Sequence, residues 1–272
     1  MTKLDPAFFV LAAIHALALL ALWPAFFSWS AILVALGLYA ATELAITLGY
    51  HRLLTHRSYA VPQFVEYALA GTAALAFQHG PIEWVAQHRA HHAHADADGD
   101  PHNARRSLRW AHVAWIFLPN ESRVRAPQRR RLAADLIVDP FYRFLDKGHL
   151  LLIAALALAL FALGGWPWVT WGIFVRLVFT YHCTWLVSSA AHSAGYRTFA
   201  TSDLSTNNWW VAALTFGEGW HNNHHAFPFS ARHGLRWFEF DPTFWLIALM
   251  ARLGIARDVR LPTRAMIERR IG

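Results

Sequence analysis

Seventeen of the 272 residues are histidines, and eight of them fall into three spaced groups. His51-Arg-Leu-Leu-Thr-His56 is an H-x4-H pattern, His88-Arg-Ala-His91-His92 is H-x2-H-H, and His221-Asn-Asn-His224-His225 repeats the second spacing. Residues three and four apart share one face of an α-helix, so each H-x2-H-H is expected to aim three imidazoles at a common point. Two triplets and a pair are enough to surround more than one metal ion. Imidazole suits zinc, copper, iron and nickel alike, which leaves the metal open at this level. The single cysteine, Cys183, sits in an apolar run and excludes both a thiolate zinc site and an intramolecular disulfide framework. Isolated histidines such as His15 and His149 read as ordinary polar residues.

Something must hold these groups together, and composition says what. The chain is 56% apolar and 15% aromatic but only 15% charged, against about 25% charged in a typical soluble domain. Disorder and nucleic-acid binding are thereby excluded. Apolar runs from Pro6 to Trp23 and from Ser28 to Tyr50 each approach the roughly 20 residues that cross a bilayer, and Pro24 to Phe27 separates them. A second pair runs from about Leu150 to Leu163 and from Trp168 to Ala191, broken by Gly164-Gly165-Trp166-Pro167. Lys3 is balanced by Asp5 ahead of the first run, which therefore reads as a retained helix rather than a signal peptide.

Charge fixes the expected sidedness. Of 24 Lys and Arg, thirteen lie in residues 50–147 and nine in 192–272, leaving only Lys3 and Arg176 elsewhere. The positive-inside rule puts both polar segments in the cytoplasm, with the uncharged tips near Phe26 and Gly165 on the far side. The expectation is one unit over 1–272: an all-α integral membrane protein whose membrane hairpins span 6–50 and 148–191 and whose cytoplasmic segments span 51–147 and 192–272. For the three histidine groups to meet, the 14-residue apolar stretch Phe64 to Phe77, which contains Glu66, must lie flat or dip without crossing. Leu132 to Leu145 and Phe244 to Ile255 read as amphipathic surface helices. The metal site is then expected at the cytoplasmic face, and with 22 Arg against two Lys the membrane reads as a bacterial plasma (inner) membrane.

Weaker signals surround the histidines. Asp96-Ala-Asp98-Gly99-Asp100 matches a calcium loop poorly, because the glycine comes early and the twelfth position is Ser107. Asp96 and Asp100, and Glu218 just before the third group, are instead expected to hydrogen-bond metal-binding imidazoles. Asn120-Glu-Ser122 is a sequon by pattern only, on the cytoplasmic side. Glu43 and Arg176 fall inside expected spans, where an ionisable residue is either functional or placed near an end.

At these residues the chain resembles the membrane fatty-acyl desaturases of the delta-9 type, animal stearoyl-CoA and cyanobacterial acyl-lipid forms included. Gly49-Tyr-His-Arg-Leu-Leu-Thr-His-Arg-Ser-Tyr59, Gly80-Pro-Ile-Glu-Trp-Val85, Asp100-Pro-His-Asn-Ala-Arg-Arg106 and Gly217-Glu-Gly-Trp-His-Asn-Asn-His-His225 carry the resemblance, over roughly residues 40–262. It implies four transmembrane helices under a cytoplasmic helical cap holding two irons. It also implies a ninth ligand, His192, in Ser188-Ser189-Ala190-Ala191-His192, with Ser188 where the family usually has an asparagine that approaches one iron through water. The implied ligands are His51, His56, His88, His91, His92, His192, His221, His224 and His225. Animal acyl-CoA members have an Arg-Asp pair where this chain has Ala86-Gln87, while Asn103, Arg105 and Arg106 remain available for a headgroup phosphate. Lipid and thioester carriers both stay open.

Hydrogen removal from an unactivated methylene needs an oxidant stronger than any side chain, so metal and O2 must supply it. No haem, flavin or Fe-S motif is present, so electrons come from outside, and the resemblance implies a ferredoxin or cytochrome b5-like donor. The competing readings are a related di-iron hydroxylase or monooxygenase and, from another class, a metal transporter. A transporter carries ionisable ligands near the membrane midplane. Here the grouped histidines flank the apolar runs.

Overall fold

The structure, a computed structural model, describes residues 5–118 and 124–271, so the Asn120 sequon lies outside the described residues. Every regular element among the described residues is a helix, with isolated β-bridges such as Ala60 with Arg257 and no strands. Helix α1 (Pro6–Ala18) starts where the Asp5 carboxylate accepts from Ala7 N at 2.8 Å, ahead of a proline at the first helical position. Helix α2 (Trp29–Ala45) starts from the Ser28 hydroxyl, which accepts from Ala31 N at 3.1 Å. It runs on without a break as a π-helix over Ile46–Thr55. Two short helices follow, α3 (Gln63–Ala74) and α4 (Pro81–His94).

Helix α5 (Pro140–Val169) uses Asp139 as its cap, accepting from Phe141 N at 2.7 Å. The trace continues through a π-turn at Thr170–Val175 into α6 (Arg176–Ser189). Leu132 to Leu145 is therefore not one surface helix. Pro140 cannot donate into a preceding turn, so a short helix Ala134–Ile137 ends and α5 begins there, ten residues before the apolar run itself. The third histidine group lies on α7 (His221–Ala226), and α8 (Pro242–Arg252) occupies most of the expected Phe244 to Ile255 helix.

Two helices, rather than the four expected, are long and apolar enough to cross a membrane by themselves: Trp29–Thr55 with 27 residues and Pro140–His192 with 53. The apolar helix Pro6–Leu22 is shorter. The two runs expected after Leu150 follow each other across a kink at Gly164 to Pro167, so the 53-residue stretch is two helical arms. Gly165 alone leaves helical geometry, at φ 64° and ψ −159°, a conformation open to a residue without Cβ. The arms fold back on each other there, and Leu160 packs with Val169, Ile173 and Leu177 in one buried cluster.

Both tips lie at one end of the bundle, where Trp171 Nε1 donates to Phe26 O at 3.0 Å and Trp23, Trp29 and Trp166 are exposed. Aromatic residues at that level suit a membrane interface. Helix α3 has 12 residues, about 18 Å, and so is too short to cross. Its end is held from inside the bundle: Arg176, fully buried, donates to Leu75 O at 3.0 Å and Gly172 O at 2.7 Å. Arg176 therefore neither sits at an end nor reaches toward solvent. Glu43 is likewise buried, and lines the cavity described below.

Candidate metal centre

His51 and His56 stand five residues apart, which on an α-helix would turn their side chains about 140° from each other. The π-helical stretch removes the problem. Its bonds run from residue i to i+5, as in His56 N to His51 O at 3.2 Å, and the two rings come within 4.9 Å of each other.

The two H-x2-H-H motifs do not aim at common points. On α4, His88 and His92 join His51, His56 and His224, while His91 joins His192, His221 and His225. On α7 the assignment is exchanged: His221 and His225 go to the second group and His224 to the first. The reason is helical geometry: positions i and i+4 lie about 40° apart around the axis, whereas i+3 and i+4 lie about 100° apart and can face different centres. Each helix thus gives a pair to one group and a single imidazole to the other. Within each group one nitrogen per ring lies within 4.8 Å of all the others.

Carboxylates orient the rings from behind. Glu218 holds His51 Nδ1 at 2.5 Å, Asp100 holds His91 Nδ1 at 3.0 Å, Asp96 holds His192 Nδ1 at 2.7 Å and Asp203 holds His225 Nδ1 at 2.9 Å. Burial alone would raise these acids. For Asp203 the His225 hydrogen bond and charge, with Ser205, outweigh it and hold the carboxyl far below its ordinary range. Asp96 is lowered through His192 and the Leu204 and Ala104 amides, and Asp100 through His102 and His91. Glu218 is lowered by the charges of His51 and of Arg52, whose fully buried guanidinium also meets Asp241 at 2.9 Å. Burial and neighbouring imidazoles push His88, His92, His221 and His224 well below the usual histidine range, and His225 to about 4. Neutral rings with free lone pairs result.

That protonation pattern tests whether a cation fits. His91 and His225 each turn Nδ1 to a carboxylate, which leaves their Nε2 atoms facing each other 3.4 Å apart. His192 Nε2 is buried with no hydrogen-bond partner. Lone pairs converging in this way need a positive ion, and the all-nitrogen donor set is one that iron, zinc, copper or nickel accepts.

The third group sits on a turn built to close tolerances. A Cβ on Gly219 would lie 2.1 Å from Ala212 N, so the backbone of α7's lead-in can pass only as glycine. The two asparagines between the histidines anchor the helix: Asn222 Oδ1 accepts from Thr198 N and Phe199 N, each at 2.8 Å, and Asn223 Nδ2 donates to His233 O and Glu239 Oε2. Ser188 lines the same cavity as His91 and His221. Asn103 is turned inward, donating to Ala97 O at 3.0 Å and accepting from Arg105 N. Arg105 donates to Asp96 O and Arg106 stacks 3.5 Å over Trp110, so these three residues brace the loop that carries Asp96 and Asp100.

Two buried residues escaped the sequence reading. Asp203 lies in a loop with no motif around it, and only its place behind His225 reveals it. His233 packs 4.5 Å from His224 and has no hydrogen-bond partner on either ring nitrogen. Its burial had no signal in sequence.

A cavity of ≈ 370 Å³ runs from this centre into the apolar bundle, lined by His51, His88, His91 and His221 at one end and by Leu11, Ile46 and Phe77 farther in. A family model described as fatty acid desaturase matches residues 27–258. The chain belongs to the fatty acid desaturase family. Among its curated relatives, an sn-1 stearoyl-lipid 9-desaturase of Anabaena variabilis is 51% identical, covering 91% of this chain and 90% of the relative. An sn-2 palmitoyl-lipid 9-desaturase of Nostoc is 49% identical, over 90% and 86%. A chloroplastic palmitoyl-monogalactosyldiacylglycerol delta-7 desaturase of Arabidopsis thaliana is 48% identical, over 96% and 70%. A helical desaturase with grouped histidines is thus what sequence and structure both describe.

Proposed function

We propose that this desaturase introduces a cis double bond, at the delta-9 position, into a saturated fatty-acyl chain carried on a membrane lipid. The observation that carries the reading is the cavity, which joins an apolar bundle to one face of the histidine centre and so can bring one stretch of a long chain to the reacting position. Neighbouring methylenes are chemically alike, so position must come from how the wall holds the chain. Two contacts fix that wall: Gln78 Nε2 donates to Thr184 Oγ1 at 2.8 Å and Tyr181 OH to Phe77 O at 3.2 Å, tying the end of α3 to α6. Trp84 stacks on His88 and joins the apolar lining to the metal-binding helix.

Five histidines, His51, His56, His88, His92 and His224, would hold one iron, and His91, His192, His221 and His225 the other, with Ser188 placed to keep a water near the second. Bound there, two irons would supply the activation of O2 that hydrogen removal from a methylene requires. The chain's own part is to hold His56, His88, His92, His221, His224 and His225 neutral by burial, to aim His51, His91, His192 and His225 by carboxylates on Nδ1, and to exclude water from the cavity. Electrons would come from a ferredoxin or cytochrome b5-like donor.

The proposed topology has four crossings, with hairpins 6–50 and 148–191 and cytoplasmic segments 51–147 and 192–272, in a bacterial plasma membrane. In its favour, the uncharged tips meet at one end, while His51 and His192, toward the far ends of the two long apolar helices, join neighbouring histidine groups. The lipid carrier is supported by the relatives' names and by Ala86-Gln87. The test is a fatty-acid profile with double-bond location from a host lacking a delta-9 desaturase, supplied with this chain and a ferredoxin system. A new delta-9 monoenoic acid on lipid is expected; a hydroxy acid instead would make it a hydroxylase, and a delta-7 product would move the reacting position.

A further inference from the structure

The histidine centre has a second opening. The acyl cavity reaches it through His51, His88, His91 and His221, whereas a separate surface cleft reaches it through His92 and His225, and no residue lines both. The cleft is walled by Thr201, Ser202, Asp203 and Arg270 and is polar and open where the acyl cavity is apolar. His92 belongs to the five-histidine group and His225 to the four-histidine group, and their rings lie 4.7 Å apart. The cleft is thus a place where one ring of each group approaches the surface together.

Its rim is basic. Arg197 donates to Thr201 O at 2.8 Å and Asp203 O at 2.7 Å, Arg105 to Ser202 O at 3.5 Å, and Arg270 to Ala226 O, so three guanidinium groups clamp the wall while remaining exposed. Arg269 is exposed beside them. Against these stand Asp98, exposed on the neighbouring loop, and Glu268, which Arg264 already pairs at 2.7 Å.

We propose that this cleft is the docking face for a small acidic one-electron carrier protein, which delivers electrons to the metal centre through the edges of His92 and His225. The proposal rests on the desaturase reading, since it is that reaction which needs reducing equivalents: R–CH2–CH2–R′ + O2 + 2 e− + 2 H+ → R–CH=CH–R′ + 2 H2O, with two reduced carriers oxidised per turnover. Charge complementarity selects the occupant. A basic rim attracts an acidic protein over a Debye length and orients it, and electron-transfer encounters need only small, weakly bound faces. The apolar cavity on the other side keeps the acyl chain out of the carrier's way, so substrate and reductant meet the centre from opposite directions.

The experiment uses the full chain in detergent, iron-loaded, with an acidic [2Fe-2S] ferredoxin as probe. Arg269→Glu/Arg270→Glu is compared with wild type and with Arg130→Glu/Arg131→Glu, a charge reversal on the exposed helix Ala126–Leu132. The cleft variant should raise the Kd for oxidised ferredoxin and the KM for reduced ferredoxin about tenfold at low salt, with the difference fading at high salt. Dithionite-driven single turnover should be unchanged. Arg269→Glu alone preserves the Arg270 bond to Ala226 and serves if the double variant misfolds, with a smaller rise in Kd expected. Wild-type Kd in the cleft variants, or a loss confined to Arg130→Glu/Arg131→Glu, overturns the docking face. Cleft-dependent binding supports it whatever is made, whereas absence of product with both reductants sinks the desaturase reading itself.

Discussion

The two histidine groups are built differently although α4 and α7 feed both. The first has five imidazoles and one carboxylate behind them, Glu218; the second has four imidazoles and three carboxylates, Asp96, Asp100 and Asp203. A carboxylate on Nδ1 makes the ring a stronger donor and fixes its orientation. The second group therefore makes up in carboxylate charge for what it lacks in imidazoles. The first is closed by number; the second is held by its surroundings.

The sharpest way to break this comparison is to remove one ligand from each group. His88→Ala and His225→Ala should each abolish turnover, and each should lower bound iron by about half, measured by elemental analysis of the purified protein. Loss of all iron from either variant would mean that the groups do not load independently. The carboxylates come next. Asp203→Asn and Asp96→Asn should weaken metal binding by about 10- to 100-fold in the second group. Glu218→Gln should reduce loading of the first group less, because four of its five rings do not depend on that acid. Equal losses in both groups would remove the distinction.

A smaller effect concerns acidity. Without metal, His88, His92, His221 and His224 stay neutral when folded but take up protons near pH 6.5 once unfolded. The unfolded state then binds more protons, so stability of the metal-free protein should fall as pH drops below about 6.5. The depressed Asp203, Asp100 and Asp96 work in the same sense lower down: their stabilisation is present above about pH 4 and is lost as pH falls through their folded values. Thermal melts of metal-free protein from pH 8 to 5.5 should therefore drift downward, and a flat profile would contradict the buried neutral rings. The smallest effect is expected from Ser188→Asn, which puts a different water-holding group on the cavity wall. It should change turnover by less than about threefold, near 0.6 kcal/mol, in the steady-state assay.

Much of the site was legible because imidazoles in fixed spacing have few other uses, and because the arginines fall almost entirely outside the apolar runs. The three groups do converge, and Phe64 to Phe77 does stay too short to cross. The division of each triplet was not legible from a shared-face rule: that rule says which side chains are neighbours, and the choice between two centres depends on where His51 and His192 arrive from other helices. Asp203 was invisible for a related reason, since a loop carboxylate declares itself only by what it touches. The break expected at Gly164 to Pro167 is present as a kink at Gly165, where the two arms fold back on each other.

The π-helical turns around His51 amount to an insertion. A bond from i to i+5 lodges one residue more per turn than an α-helix would, and the H-x4-H spacing is that extra residue seen in sequence. A single deletion between Arg52 and Thr55 would yield H-x3-H, which an ordinary α-helix already aligns, so the pair of imidazoles could survive the change. Arg52, Glu218 and Asp241 could not keep their present partners through the same rotation. Chain length in this stretch is thus constrained less by the two histidines than by the buried ion network threaded between them.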